Sequence, residues 1–160
     1  MEHARALDKP TRLAAPLAEA LVHHPAARRF FHGDATGIPV HVMLTDVPFG
    51  GWFMAMYLDL FPDDASRRSA TRLMGLGVLS AVPTAVAGRA EWALADERTR
   101  RVGIVHAGMN LATTLVFAAS WAARVRGDHA LGVRLARAGA LTAGLAGFLG
   151  GHMSSNRRGA

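Results

Sequence analysis
Three histidines, His41, His106 and His152, stand inside stretches of the chain that are otherwise largely apolar. Imidazole binds haem iron, zinc or copper through a ring nitrogen and carries protons near neutral pH. His41 shares a helical face with Thr45, Pro48 and Trp52 at i, i+4, i+7 and i+11, and His106 shares one with Asn110, Thr113 and Phe117 at the same spacing. Asp46 lies between these polar layers, and a carboxylate can orient a ligating imidazole by accepting from its second nitrogen. Ionisable groups in hydrocarbon cost roughly 2.5–3.5 kcal/mol each on insertion scales, so a chain that keeps them there is expected to bury or use them. The expected set is His41, His106 and His152 as metal or cofactor ligands, with Asp46 and Asn110 beside them.

Such a set needs elements that bring residues distant in sequence to one level. Four apolar stretches do so: 38–61, 71–89, 102–123 and 129–152. Each is long enough, at 1.5 Å per residue, for a hydrocarbon core of about 30 Å. The expected fold is an all-α integral membrane up-down four-helix bundle, because the short connections force neighbouring helices antiparallel. In that topology the starts of the first and third spans and the end of the fourth meet at one membrane face, which puts the three imidazoles at one depth. Segment 1–37 is polar and basic, with leucines at helical spacing that predict an amphipathic helix around 11–24 on the membrane surface. The expected domains are this segment, the transmembrane unit 38–152 and a tail 153–160. Gly139, Ala143, Gly147 and Gly151 recur every four residues and predict a close-packing face on the fourth span; Gly75 and Gly77 serve the second. Pro83 is expected to kink the second span. Arg134 and Arg137, in the first turns of the fourth, are expected to reach back to the interface.

The 160 residues contain no cysteine, which excludes disulfides, thiolate metal sites, iron–sulfur clusters and covalently attached haem within the chain. The formal charge is +6. Apart from Lys9 the basic residues are arginines that flank apolar blocks, which suits membrane ends facing anionic lipid better than a nucleic-acid stripe. The terminus side, with the loop 89–101, carries 11 basic residues against 7 on the other, favouring cytoplasmic termini. No secretory signal is visible, because Pro16 and Glu19 interrupt the only apolar run near the start. Asp59 is expected to meet Arg67 or Arg68 at its helix end, and His3, His23, His24, His32 and His129 to be surface residues. Phosphate loops, nucleophile elbows, His-Glu-x-x-His pairs and paired carboxylates are all missing, so hydrolase or transferase activity is not expected. Two readings of the histidine cluster stay open. One is ligation of a b-type haem, or quinone binding, in electron transfer. The other is a hydrogen-bonded network inside a cofactor-free scaffold or assembly subunit.

The runs GIPVHVMLTDVPFGGW (37–52), LDL (58–60), GLGVLSAVPTAVAG (75–88), RRVGIVHAGMN (100–110) and AGFLGGH (146–152) resemble the bacterial integral-membrane family catalogued as domain of unknown function 2231. The resemblance covers about residues 33–152, with the runs in the family's order and spacing. It implies a four-span membrane protein, and relatives fused to Rieske-type or cytochrome-like domains imply a place near electron transfer. The positions carried over are His41, Asp46, Pro48, His106, Asn110, Gly150, Gly151 and His152. The chain departs where the family has His-Pro-x-His-Pro, since Ile38 stands in place of the first histidine, and where Glu91 precedes Trp92 in place of aspartate. A redox partner such as a Rieske or cytochrome subunit would be a separate polypeptide, and a homo-oligomer is a further expectation.

Overall fold
A computed structural model describes the backbone of residues 4–156 and the side chains of residues 4–148. The all-α expectation holds: among the described residues there is a short 3-10 turn and six α-helices, with no strand. The helices are α1 (Asp8–Val22), α2 (Pro25–His32), α3 (Val40–Leu58), α4 (Asp64–Ala93), α5 (Glu97–Val125) and α6 (His129–Asn156). The tail helix therefore begins earlier than the leucine spacing suggests and is followed by a second short one.

Helix α3 stays within its apolar stretch, whereas α4 and α5 outrun theirs, because side-chain caps set their starts. Asp63 accepts from the Ser66 amide at 2.9 Å and starts α4 well before the apolar run. Asp96 accepts from the Arg98 and Thr99 amides at 2.9 and 3.0 Å and starts α5. A side-chain oxygen at this position satisfies amides that have no partner within the helix.

Helix α3 packs along α4, α5 packs along α6, and α4 joins the two pairs. Buried Trp52 and Phe117 stack at the junction, ring centroids 4.3 Å apart. Glycines on α4 make room on both sides. A Cβ at Gly77 would sit 2.4 Å from the Trp52 ring, and one at Gly75 would sit 2.7 Å from the ring of Trp121. At Gly51 a Cβ would meet the Leu73 carbonyl at 2.9 Å, so the backbones of α3 and α4 touch there.

The four-residue glycine stripe of α6 is only partly used. Gly139 receives Phe117 and Ala143 is buried, but Gly147 has open space around it, and Gly151 lies outside the described side chains. The buried positions are Gly132, Ala136, Gly139, Ala143 and Ala146, alternating steps of four and three. A helix of 3.6 residues per turn rotates a strict four-residue stripe off the contact, whereas alternating steps stay on it.

Outward-facing surfaces of α3 to α6 carry exposed Val47, Phe53, Leu79, Val82, Leu115, Leu141 and Phe148, an apolar belt. Two helices, α4 and α5, are long and apolar enough to cross a membrane. Arg134 and Arg137 are exposed. Helix α1 packs on the ends of α4 and α5, where Ala18 is buried against Trp92 and Ala93.

Candidate functional site
The helical faces expected at His41 and His106 are the ones turned inward. Pro48, Trp52, Thr113 and Phe117 are buried, and His41, Thr45, His106 and Asn110 are half-buried. His41 Nδ1 lies 2.9 Å from the Thr84 carbonyl of α4. The Thr84 hydroxyl donates to the Ser80 carbonyl of its own helix at 2.8 Å and also lies 3.3 Å from the Leu44 carbonyl of α3. Proline has no N–H, so Pro48 cannot bond the carbonyl four residues before it, which is that of Leu44. The Thr84 hydroxyl approaches that carbonyl from the next helix as the longer arm of a shared bond. Gly88 leaves room for the imidazole, since a Cβ there would meet the ring at 2.9 Å.

A second set of ties joins α5 to α6. His106 Nδ1 lies 3.0 Å from the Ala146 carbonyl, and Asn110 Nδ2 lies 2.8 Å from His106 Nε2. The Thr113 hydroxyl donates to that of Thr142 at 3.0 Å, and Thr142 passes a bond to the Gly139 carbonyl at 2.8 Å. A carbonyl oxygen only accepts, so Nδ1 carries the proton in both neutral imidazoles and Nε2 carries the lone pair. In His106 that lone pair takes the Asn110 amide. In His41, Nε2 has no hydrogen-bond partner among the described residues.

The ring of His152 lies outside the described side chains. Its backbone stands six residues beyond Ala146 on α6, about 9 Å further along at 1.5 Å per residue. Asp46 is exposed on the outer side of α3, and the role sketched for it, accepting from an imidazole, falls to backbone carbonyls. Among the described residues no group of three His, Cys, Asp or Glu side chains is placed to hold a metal. The donor chemistry fits a cofactor unevenly: His41 presents a free Nε2, whereas His106 presents one only if the Asn110 amide turns away.

The most deeply buried charges lie at the other end of the bundle. Arg124 of α5 donates from its two terminal nitrogens to the two oxygens of Asp59, at 2.7 and 2.6 Å. Their side chains are 0 % and 5 % exposed. Arg124 Nε also donates to Ser120 at 3.3 Å, and the Ser120 hydroxyl donates to the Gly132 carbonyl at 2.6 Å. Asp59 thus meets Arg124 rather than Arg67 or Arg68, and Arg67 pairs with Asp64. His129 is no free surface residue either, since its Nε2 lies 3.3 Å from Asp59.

Two tail histidines also have structural partners. His24 accepts from the Ala26 amide at 3.2 Å as the cap of α2, and His32 lies 3.2 Å from buried Glu91. Next to Glu91, Trp92 donates to the Arg100 carbonyl at 2.9 Å, and the Arg100 guanidinium sits 5.4 Å from the centre of the Trp92 ring. His3 lies outside the described residues. Of these contacts only the orphaned carbonyl before Pro48 was signalled locally in the sequence. The partners Thr84, Ala146 and Arg124 come from other helices.

Residues 37–159 match the family described as Predicted membrane protein (DUF2231), and the chain belongs to that family. The comparisons with curated proteins and with solved structures give no match.

Proposed function
We propose that this is a four-span protein of the bacterial inner membrane that serves as a scaffold or assembly subunit, with its histidines acting as ties between helices. The observation that carries this reading is His106, whose two ring nitrogens are both engaged, one by α6 and one by Asn110. His41 ties α3 to α4 in the same way, through the Thr84 carbonyl. Interhelical hydrogen bonds in a membrane contribute modestly, about 0.6 kcal/mol on average, so several in register hold a hairpin where one would not. The excess of arginine on the terminus side, 11 basic residues against 7, supports cytoplasmic termini.

A second reading is electron transfer, with a b-type haem or a quinol near the terminus-side face and a separate Rieske or cytochrome subunit as partner. The open Nε2 of His41 supports it. That atom is an acceptor, so it suits an iron centre or the hydroxyl of a quinol and not the carbonyl of a quinone.

The visible spectrum of protein purified from its own membranes in mild detergent separates the two. The scaffold reading expects a colourless, stable protein whose His106→Ala variant loses stability on the order of 1 kcal/mol. A Soret band that disappears in His41→Ala or His106→Ala would contradict it and support the second.

A further inference from the structure
A groove of about 320 Å³ runs between α2 and the first turns of α3. Its walls include Phe30, Val40, Met43 and Leu44, with Arg29 and Thr36 at its edge. The Thr36 hydroxyl donates to the Gly33 and Ile38 carbonyls at 3.3 and 3.0 Å, so its polarity is used within its own turn. That turn is tightly built: Gly33 has φ +77°, and a Cβ there would lie 1.9 Å from the Ile38 carbonyl oxygen. This turn sets where α2 lies beside α3, with the groove between them.

We propose that this groove binds one anionic phospholipid, with an acyl chain between α2 and α3 and the phosphate on Arg29. The proposal rests on the four-span reading, in which α3 crosses the bilayer and its first turn, at Val40, lies towards one face. Two observations select this occupant. Met43, which lines the groove, and Val47 one turn further along α3 are both exposed, so apolar surface leads from the groove towards the outer face of α3, beside exposed Asp46. Arg29, the one charged residue lining the groove, is exposed and has no carboxylate partner among the described residues. A guanidinium offers two parallel donors that match a phosphate, and a basic residue at this level favours anionic over zwitterionic lipid.

The test is native mass spectrometry of the full chain in mild detergent, titrated with phosphatidylglycerol and, separately, phosphatidylcholine. Wild type is expected to retain one phosphatidylglycerol in preference to phosphatidylcholine. Arg29→Gln is expected to weaken that retention roughly fivefold and to remove the preference. Met43→Trp, which fills the groove, is expected to lose retention, while Leu141→Trp on the outer face of α6 keeps it. Equal retention of the two lipids by wild type, unchanged retention in Arg29→Gln, or an isoprenoid quinone in place of the lipid would overturn the proposal. Because Arg29 is exposed, its variant stays informative even if Met43→Trp does not fold. Failure of the bilayer placement would instead show as protein recovered without detergent.

Discussion

Asp59 and Arg124 lie 65 positions apart and neutralise each other inside the protein. Taking two charges out of water costs several kcal/mol per ion, which close bidentate geometry and further hydrogen bonds offset. The partner left behind by a single deletion has no such compensation. Asp59→Ala is therefore expected to destabilise the protein by about 3–5 kcal/mol in detergent unfolding, while the double variant Asp59→Ala with Arg124→Met recovers most of the loss. Equal losses in the single and double variants would show that the pair matters by packing alone. Sequence reasoning marked Asp59 as a charge needing a cation and chose the nearest arginines in the chain. It missed Arg124 because the choice depends on how the α3–α4 hairpin sits against the α5–α6 hairpin, and no local pattern encodes that. Asp46 shows the converse: its place between the polar layers suggested that it accepts from an imidazole, but the helical rotation between positions 41 and 46 turns the carboxylate outward.

Helical faces were legible in the sequence, and helix ends were not. The faces of His41 and His106 follow from 3.6-residue periodicity, which a buried interface enforces along the whole helix. The ends follow from single capping residues, which a reading of apolar runs passes over. Those caps have a pH signature. The Ser66 hydroxyl and amide hold the Asp63 carboxyl below its ordinary 3.8, and the Thr99 hydroxyl and amide do the same for Asp96. A depressed carboxyl stabilises the fold above its unfolded value and loses that contribution as pH falls through the folded value. Amides in the first turns of α4 and α5 are expected to lose hydrogen-exchange protection below about pH 3.8, ahead of the helix centres. The glycine pattern was legible in kind and misplaced in register. Gly51 is the sharper position, since a methyl there meets backbone, which cannot rotate away. Gly51→Ala is expected to cost about 1–3 kcal/mol in detergent unfolding, whereas Gly147→Ala, in open space, leaves stability within about 0.5 kcal/mol.

At the scale of the whole molecule, two hairpins meet at the Trp52–Phe117 stack and expose an apolar belt. Polar ties lie near both ends of the bundle: His41 and His106 towards one, Asp59 and Arg124 at the other. Apart from Asp46, exposed on the outer side of α3, this distribution suits a bilayer, where internal hydrogen bonds keep polar groups from facing hydrocarbon. Blocks of apolar residues bounded by arginine made the membrane class readable, and the runs between 37 and 152 made the family readable by resemblance. The number of crossings is the central claim, and it can be measured directly because the chain has no cysteine. Single cysteines at Asp34, Pro62, Ala95 and Arg126, labelled with an impermeant maleimide in sealed vesicles of known orientation, report the side of each connection. Four crossings predict that positions 34 and 95 label from one side and 62 and 126 from the other. Labelling of 34, 62 and 126 from one side, with 95 alone opposite, would mean that only α4 and α5 cross, and would contradict the account.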